Sequence, residues 1–262
     1  NTSVKKTLFA ATLAAAVSGA LAADVTLYGV ADVGLRYTNT KTDGVSTDKL
    51  EMMSGHNAGS RFGLKGSEDL GNGWKAGFLL EGQYLGDTGA LKNAKFFHRQ
   101  ATVSISGPLG TVYAGRMGTL SSAAGPADLI FAAGDAFDGG DNLIYALSVE
   151  SRRDNTLLYV TPAAGGLQGY LQYSFQGSGQ ENVQSSLNER YMGAGLRWKA
   201  GAFESALAVE HVRYAAAADD VKGALDDKLA VSLAANYDFG VTKLFGTAQW
   251  VQGGDNFGAV SD

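Results

Sequence analysis

The chain has 262 residues with no cysteine, 36 glycines, 3 prolines and 45% hydrophobic residues. That apolar content excludes a disordered chain. The missing cysteine excludes disulfides and thiolate metal centres, and the scattered His56, His98 and His211 offer no zinc-ligand spacing. A formal net charge of −5 with no basic block excludes an electrostatic footprint for nucleic acid.

The first segment, VKKTLFAATLAAAVSGALA, has two lysines, an apolar run and small residues ending in Ala20-Leu21-Ala22. It reads as a signal peptide over 1–22 with an Ala-x-Ala cleavage site. The apolar run is too short and alanine-rich for a membrane span. Export would leave a chain starting at Ala23, and losing Lys5 and Lys6 leaves 19 basic against 26 acidic residues, a net of −7. An exported chain with no second apolar segment is either soluble in the periplasm or embedded in the outer membrane.

Beyond residue 23 the period is 2 throughout, the signature of strands with one apolar face. The first strand, 24–38, sets Val25, Leu27, Val33, Leu35 and Tyr37 against Thr26, Asp32, Arg36 and Thr38. Over 59–68, Arg61 and Lys65 oppose Phe62 and Leu64. Over 74–84, Trp74, Phe78, Leu80 and Tyr84 oppose Lys75, Glu81 and Gln83, with Leu79 out of step. Strands follow at 96–106, 109–115, 153–161, 167–176, 190–199, 202–213, 227–239 and 241–252, eleven in all. Lengths near ten residues match a tilted transmembrane strand, and aromatics such as Tyr37, Trp74, Trp198, Tyr237 and Trp250 gather toward strand ends, as at membrane interfaces.

The connections alternate strictly. Short ones lie near 69–73, 107–110, 162–166, 199–202 and 238–241. Long ones cover 39–58, 85–95, 116–152, 177–188 and 214–227. Up-and-down outer-membrane barrels show this pattern, with short periplasmic turns and long external loops, and lipid demands closure because an open sheet edge leaves backbone groups unpaired. Eleven is odd, whereas bacterial single-chain barrels are even. The expectation is therefore an all-β transmembrane antiparallel barrel whose C-terminal strands lie beyond residue 262.

Four stretches go further than pattern: DVTLYGVADVGL after the cleavage site, GSRFGLKGSEDLGNGWKAGFLLEGQY at 59–84, FHRQATVSISGPLGTVYAGR at 97–116, and RRDNTLLYVTP at 152–162. Together they closely resemble the general trimeric porins of Gram-negative outer membranes, of the β-proteobacterial type. The resemblance implies a sixteen-stranded barrel over 23–262, of which about eleven strands are present. It implies a homotrimer surrounded by outer-membrane lipid and lipopolysaccharide, and passive diffusion of ions and small hydrophilic solutes without a cofactor. It also implies a third external loop folded into the lumen. The Gly-, Ala- and Ser-rich segment 117–152, with GDAFDGGDN at 134–142, follows the fifth strand and matches that constriction loop.

A narrow aqueous pore selects by size and by the field between opposed charges. By motif position the resemblance matches Arg61, Arg99 and Arg152 or Arg153 to wall arginines, opposite loop carboxylates at Asp135, Asp138 and Asp141. Periodicity independently turns Arg61, Lys65 and Arg36 inward. Arg99 shares parity with Phe97, Val103 and Ile105, which face lipid, so the sequence predicts a bulge near Gln100 or an inward apolar patch. The acidic loop offers a second reading as a Ca²⁺ site through carboxylates and carbonyls, without the spacing of a recognised calcium loop. Catalytic motifs are missing: there is no Gly-x-Ser-x-Gly, His-Glu-x-x-His or phosphate-binding loop. Asp219-Asp220 and Asp226-Asp227 read as solvated loop charge. The rival readings are an outer-membrane adhesin and an exported soluble β-domain that binds a ligand.

Overall fold

The computed structural model describes residues 24–55, 58–122, 125–134, 151–177, 188–214 and 226–253. The chain forms β1 (Asp24–Val30), β2 (Val33–Thr42), β3 (Val45–Ser54), β4 (Arg61–Gly71), β5 (Trp74–Gln83), β6 (Gln100–Gly107) and β7 (Gly110–Gly118). A short helix α1 (Leu129–Gly134) precedes β8 (Arg152–Val160), β9 (Leu167–Ser174), β10 (Arg190–Ala200), β11 (Phe203–Arg213), β12 (Lys228–Asp238) and β13 (Lys243–Gln252). Eleven of these strands make one sheet in the order β1-β4-β5-β6-β7-β8-β9-β10-β11-β12-β13, and β2 pairs only with β3. Every pairing in the large sheet is antiparallel between neighbours.

Three predicted boundaries are corrected. The segment 24–38 is two strands, because the chain breaks at Ala31-Asp32 and β2 leaves the sheet. The stretch 39–58, predicted as a loop, carries β3 and folds back on β2 through Asp43 and Gly44, both at positive φ (51° and 85°). Asp-Gly is a favoured two-residue hairpin turn because both central positions need φ > 0. The strand expected from residue 96 begins at Gln100.

The alternation sorts the sheet into two faces. Outward positions are apolar and exposed: Leu27, Val103, Val112, Leu171, Leu196, Leu233 and Trp250 are all at least 45% accessible. For a water-soluble domain that surface would be far beyond a tolerable apolar patch; hydrocarbon is its natural solvent. The inward positions Thr102, Thr156, Gln172, Ser174, Ser232 and Asn236 are polar and buried.

The core lies on the inner face. Met117 at the end of β7 and Leu120, Leu129, Ile130 and Ala133 from the segment after it pack on Leu158, Tyr170, Ala206, Ala208 and Ala234. The same segment reaches β11, β12 and β13 through α1, while its Gly125 and Pro126 line a hollow with Asp24 and Thr26 of β1. One segment meets both ends of the strand order, so the sheet curls around it. α1 begins directly after Asp128, a residue suited to a helix N-terminus, and its Leu-Ile-Phe-Ala-Ala run leaves every residue buried except Ala132.

Candidate functional site: a guanidinium-lined inner wall

The site grows from inward positions on neighbouring strands. Arg61 and Gln83 are register partners across β4 and β5, and Gly63 faces Glu81. Gly63 leaves room for the Tyr28 ring of β1, whose hydroxyl donates to Glu81 Oε2 at 2.8 Å. Arg99 Nε donates to Glu81 Oε1 at 2.5 Å, and its Nη1 to Gln83 Oε1 at 3.2 Å. Arg61 Nε lies 3.7 Å from Glu81 Oε2. One carboxylate thus gathers two guanidinium groups.

A second node lies beside it. Asp154 pairs with Lys95 and with Arg116, whose Nη1 is 2.5 Å from Oδ1. Arg116 also donates to the His98 carbonyl at 2.6 Å, and Arg152 Nε donates to the Arg99 carbonyl at 2.9 Å. Arg116 sits at a shift in register between Gly115 and Met117, where β7 meets β8. His98 is buried among these cations. Burial first, then the charges of Arg152, Arg99, Arg116 and Lys92, push its imidazole down to about 4, so it is neutral at physiological pH.

The predicted residues therefore divide. Arg61, Arg99 and Arg152 converge with Arg116 and Lys95, which sequence reasoning did not single out. Arg99 reaches the inner face because it precedes β6, so strand parity does not govern it. Lys65 is inward on β4, its Nζ 5.4 Å from the Tyr28 ring, and lines the hollow of about 530 Å³ against Gly125 and Pro126. Arg153 is only 2% exposed; it pairs with Glu189 and lies 5.9 Å from the Tyr191 ring. Arg36 stands in the β2–β3 hairpin, donating to Glu51 at 2.8 Å, and is not brought to the cluster. Lys49 and Arg36 hold the Glu51 carboxyl below its ordinary range. Asp135, Asp138 and Asp141, and with them the alternative Ca²⁺ site, lie outside the described residues.

A set of tethers fixes the inward segment. Tyr191 donates to Glu210 at 2.7 Å, and the Leu120 and Ser121 amides donate to Tyr191 Oη (3.2 Å) and Glu210 Oε1 (3.3 Å). Gln172 donates to the Gly118 carbonyl at 2.7 Å, and Asn236 to the Ala133 carbonyl at 2.8 Å. Polar groups on four strands thus satisfy the backbone of a segment that carries little regular ladder of its own, as buried peptide groups require. The sequence signal for them is weak: a polar residue on the inward face of an otherwise apolar or small-residue strand.

A curled antiparallel sheet, apolar outside and polar inside, with charged groups opposite an inward-packed segment, is the wall of a transmembrane β-barrel channel. The comparisons with known proteins agree. The family model described as Gram-negative porin matches residues 10–262. Outer membrane porin protein 32 of Delftia acidovorans is 33% identical over 252 residues, covering 94% of this chain and 69% of that protein. An outer membrane porin protein of Bordetella pertussis is 32% identical, covering 92% and 68%. The solved anion-selective porin from Comamonas acidovorans superposes with a TM-score of 0.65 at 32% identity, covering 88% of this chain and 69% of that one. The chain belongs to the Gram-negative porin family. It is an outer-membrane β-barrel porin, a water-filled channel for passive diffusion of ions and small hydrophilic solutes.

Proposed function

We propose that the selectivity of this channel resides in the slot between the inner wall of β1, β4–β7 and the start of β8 and the segment 117–152, acting as the constriction loop, and that the pore prefers anions. The wall carries Arg61, Arg99, Arg116, Arg152, Lys65 and Lys95 against the two carboxylates Glu81 and Asp154. That excess of cations is the observation behind the reading. An anion passing within a few ångströms of a guanidinium gains roughly 1–3 kcal/mol at intermediate dielectric, and low-dielectric walls focus the field. Asp135, Asp138 and Asp141 would supply the opposing charge from the loop. The similarity to a porin titled anion-selective supports the same direction. The reading includes a homotrimer of such barrels in outer-membrane lipid, an exported chain processed after residue 22, and transport by diffusion without chemistry.

The test is reversal potential in a salt gradient for the whole porin carrying Arg61→Gln and Arg99→Gln. Removing two charges and leaving Glu81 unpaired should lower the anion-to-cation permeability ratio by roughly three- to tenfold, from about 1 kcal/mol of lost stabilisation. An unchanged reversal potential sinks the assignment. Arg153 is a poor probe, because it is buried and paired with Glu189.

A further inference from the structure

The hollow beneath Gly125 and Pro126 has a floor of small residues. One register row crosses five strands of the inner wall: Asp24 faces Ser67, Ser67 faces Gly77, Gly77 faces Ser104 and Ser104 faces Tyr113. Gly77 is the low point, because a Cβ there would lie 2.9 Å from the Ser104 hydroxyl oxygen. The next row toward the long connections holds Thr26, Lys65, Leu79 and Thr102. Both rows line the same hollow of about 530 Å³, which Gly125 and Pro126 close from the other side.

The polar groups here differ from those on β9–β12. There the inward polar side chains are engaged: Gln172 and Asn236 donate to the Gly118 and Ala133 carbonyls, and Ser174 donates to the Asp154 carbonyl at 2.7 Å. Around the hollow, among the described residues, the hydroxyls of Thr26, Ser67, Ser104 and Tyr113 have no hydrogen-bond partner in the protein. The Lys65 ammonium meets only the Tyr28 ring, 5.4 Å away. Thr102, buried, accepts from Gln100 at 3.0 Å and keeps its own proton to donate. Convergent polar groups that the fold itself does not use, facing one cavity with a small apolar patch, are what a small-molecule site requires.

We infer that this hollow is a binding subsite for a hexuronate, a pyranose sugar carrying one carboxylate, during its passage through the pore. The Lys65 ammonium pairs with the carboxylate. Ser104 and Tyr113 stand two and three strands away, at about 4.8 Å per strand, and reach the ring hydroxyls; each of their own hydroxyls both donates and accepts. Leu79 and Pro126 cover a C–H face of the ring. Asp24, at the opposite end of the floor, accepts a further sugar hydroxyl and works against a ligand of higher negative charge, such as a sugar phosphate. One ammonium with one carboxylate nearby therefore suits a single negative charge on a polyhydroxylated body. The row beyond, with Tyr28 and Glu81, begins the guanidinium cluster. The subsite rests on the channel reading given above and adds a preferred solute to it.

The test is the single-channel current of the whole porin in a planar bilayer, with glucuronate, cyclohexanecarboxylate or glucose added to potassium chloride. Glucuronate should interrupt the wild-type current at about one tenth of the concentration that either of the others needs, since one lacks the hydroxyls and the other the charge. Ser104→Ala with Tyr113→Phe should raise the half-blocking concentration of glucuronate about tenfold and leave the reversal potential in potassium chloride unchanged. Equal half-blocking concentrations for the three solutes in wild type overturn the subsite, and that comparison stands even where a variant does not insert. A conducting double variant that still binds glucuronate like wild type also overturns it, as does inorganic phosphate that blocks as well as glucuronate, which would mark a site for any anion. Reversal potential separates the two claims. If Arg61→Gln with Arg99→Gln leaves it unchanged while wild type still discriminates glucuronate, the anion-preference reading falls and the subsite stands; the opposite pair of results removes only the subsite.

Discussion

The two halves of the inner wall do opposite work. Along β8–β12 the inward face is packed: Leu158, Ala206, Ala208 and Ala234 are buried beneath the segment after β7, and polar groups between them such as Gln172, Glu210 and Asn236 bond to that segment or to its start. Along β1 and β4–β6 several inward positions are long and charged: Lys65 lines the hollow, and Arg61 pairs with Glu81 on the same face. The difference lies in side-chain volume, since both halves share the same ladder and outward alternation. Alanine and glycine on one half give the inward segment a bed, and the water that remains is pressed against the charged half. A pore built this way sets its diameter by packing and its field by placement, on separate strands.

That contrast can be broken from the packed side first. Leu129→Ala removes a fully buried side chain of the inward segment where it meets the bed and should cost about 2–5 kcal/mol in stability. Urea unfolding of the lipid-folded protein, followed by tryptophan fluorescence, reads this, with larger and noisier conductance expected as the segment loosens.

A pair of glycines sharpens the comparison. A Cβ on Gly195 would lie 2.4 Å from Leu129 Cδ2, whereas one on Gly246, on the outer side of β13, meets nothing within 4 Å. Gly195→Val should destabilise by about 1–3 kcal/mol and displace the segment, while Gly246→Ala should stay within about 0.5 kcal/mol. Equal effects in the same unfolding assay would mean that the segment is not seated on β10.

The charged half gives the smallest effect. His98 is held near 4 in the folded protein against an ordinary 6.5. As pH falls through that window the unfolded chain binds a proton that the folded chain refuses, so stability is full above 6.5 and declines toward 4. His98→Gln should flatten that part of the pH profile. A wild-type profile with no decline there would contradict the burial of His98 among arginines.

Much of this was legible in the sequence because a barrel obeys a local rule. Val103 and Ile105 against Thr102 and Ser104, or Leu233 against Ser232, show their faces without any tertiary information. The β2–β3 hairpin was legible too, through Asp43-Gly44, but alternation on both sides made 24–38 look like one strand continuing into a loop. Parity alone set Arg99 with the lipid-facing residues and called for a bulge near Gln100 or an inward apolar patch, because nothing local marks Gln100 as the start of β6. The tethers were hidden for a different reason. Glu210 and Ser121 are 89 residues apart, and Tyr191 becomes a hinge of the network only when β10 lies beneath Leu120. Long-range closure, not composition, makes them functional. The family motifs around Arg61 and Arg152 carried information that periodicity lacked, since they brought residues from β4, β8 and the approach to β6 to one wall.

The measurement that bears most directly on the divided wall exploits the absence of native cysteine. Lys65→Cys places a thiol on the charged half, and Ala208→Cys places one in the bed. Each whole porin is opened in a planar bilayer and exposed to a charged, membrane-impermeant thiosulfonate. The divided wall predicts a rapid stepwise change in current for Lys65→Cys and protection of Ala208→Cys. Equal rates of modification, or faster reaction at Ala208→Cys, would contradict it, because water would then reach the half that the inward segment is supposed to fill.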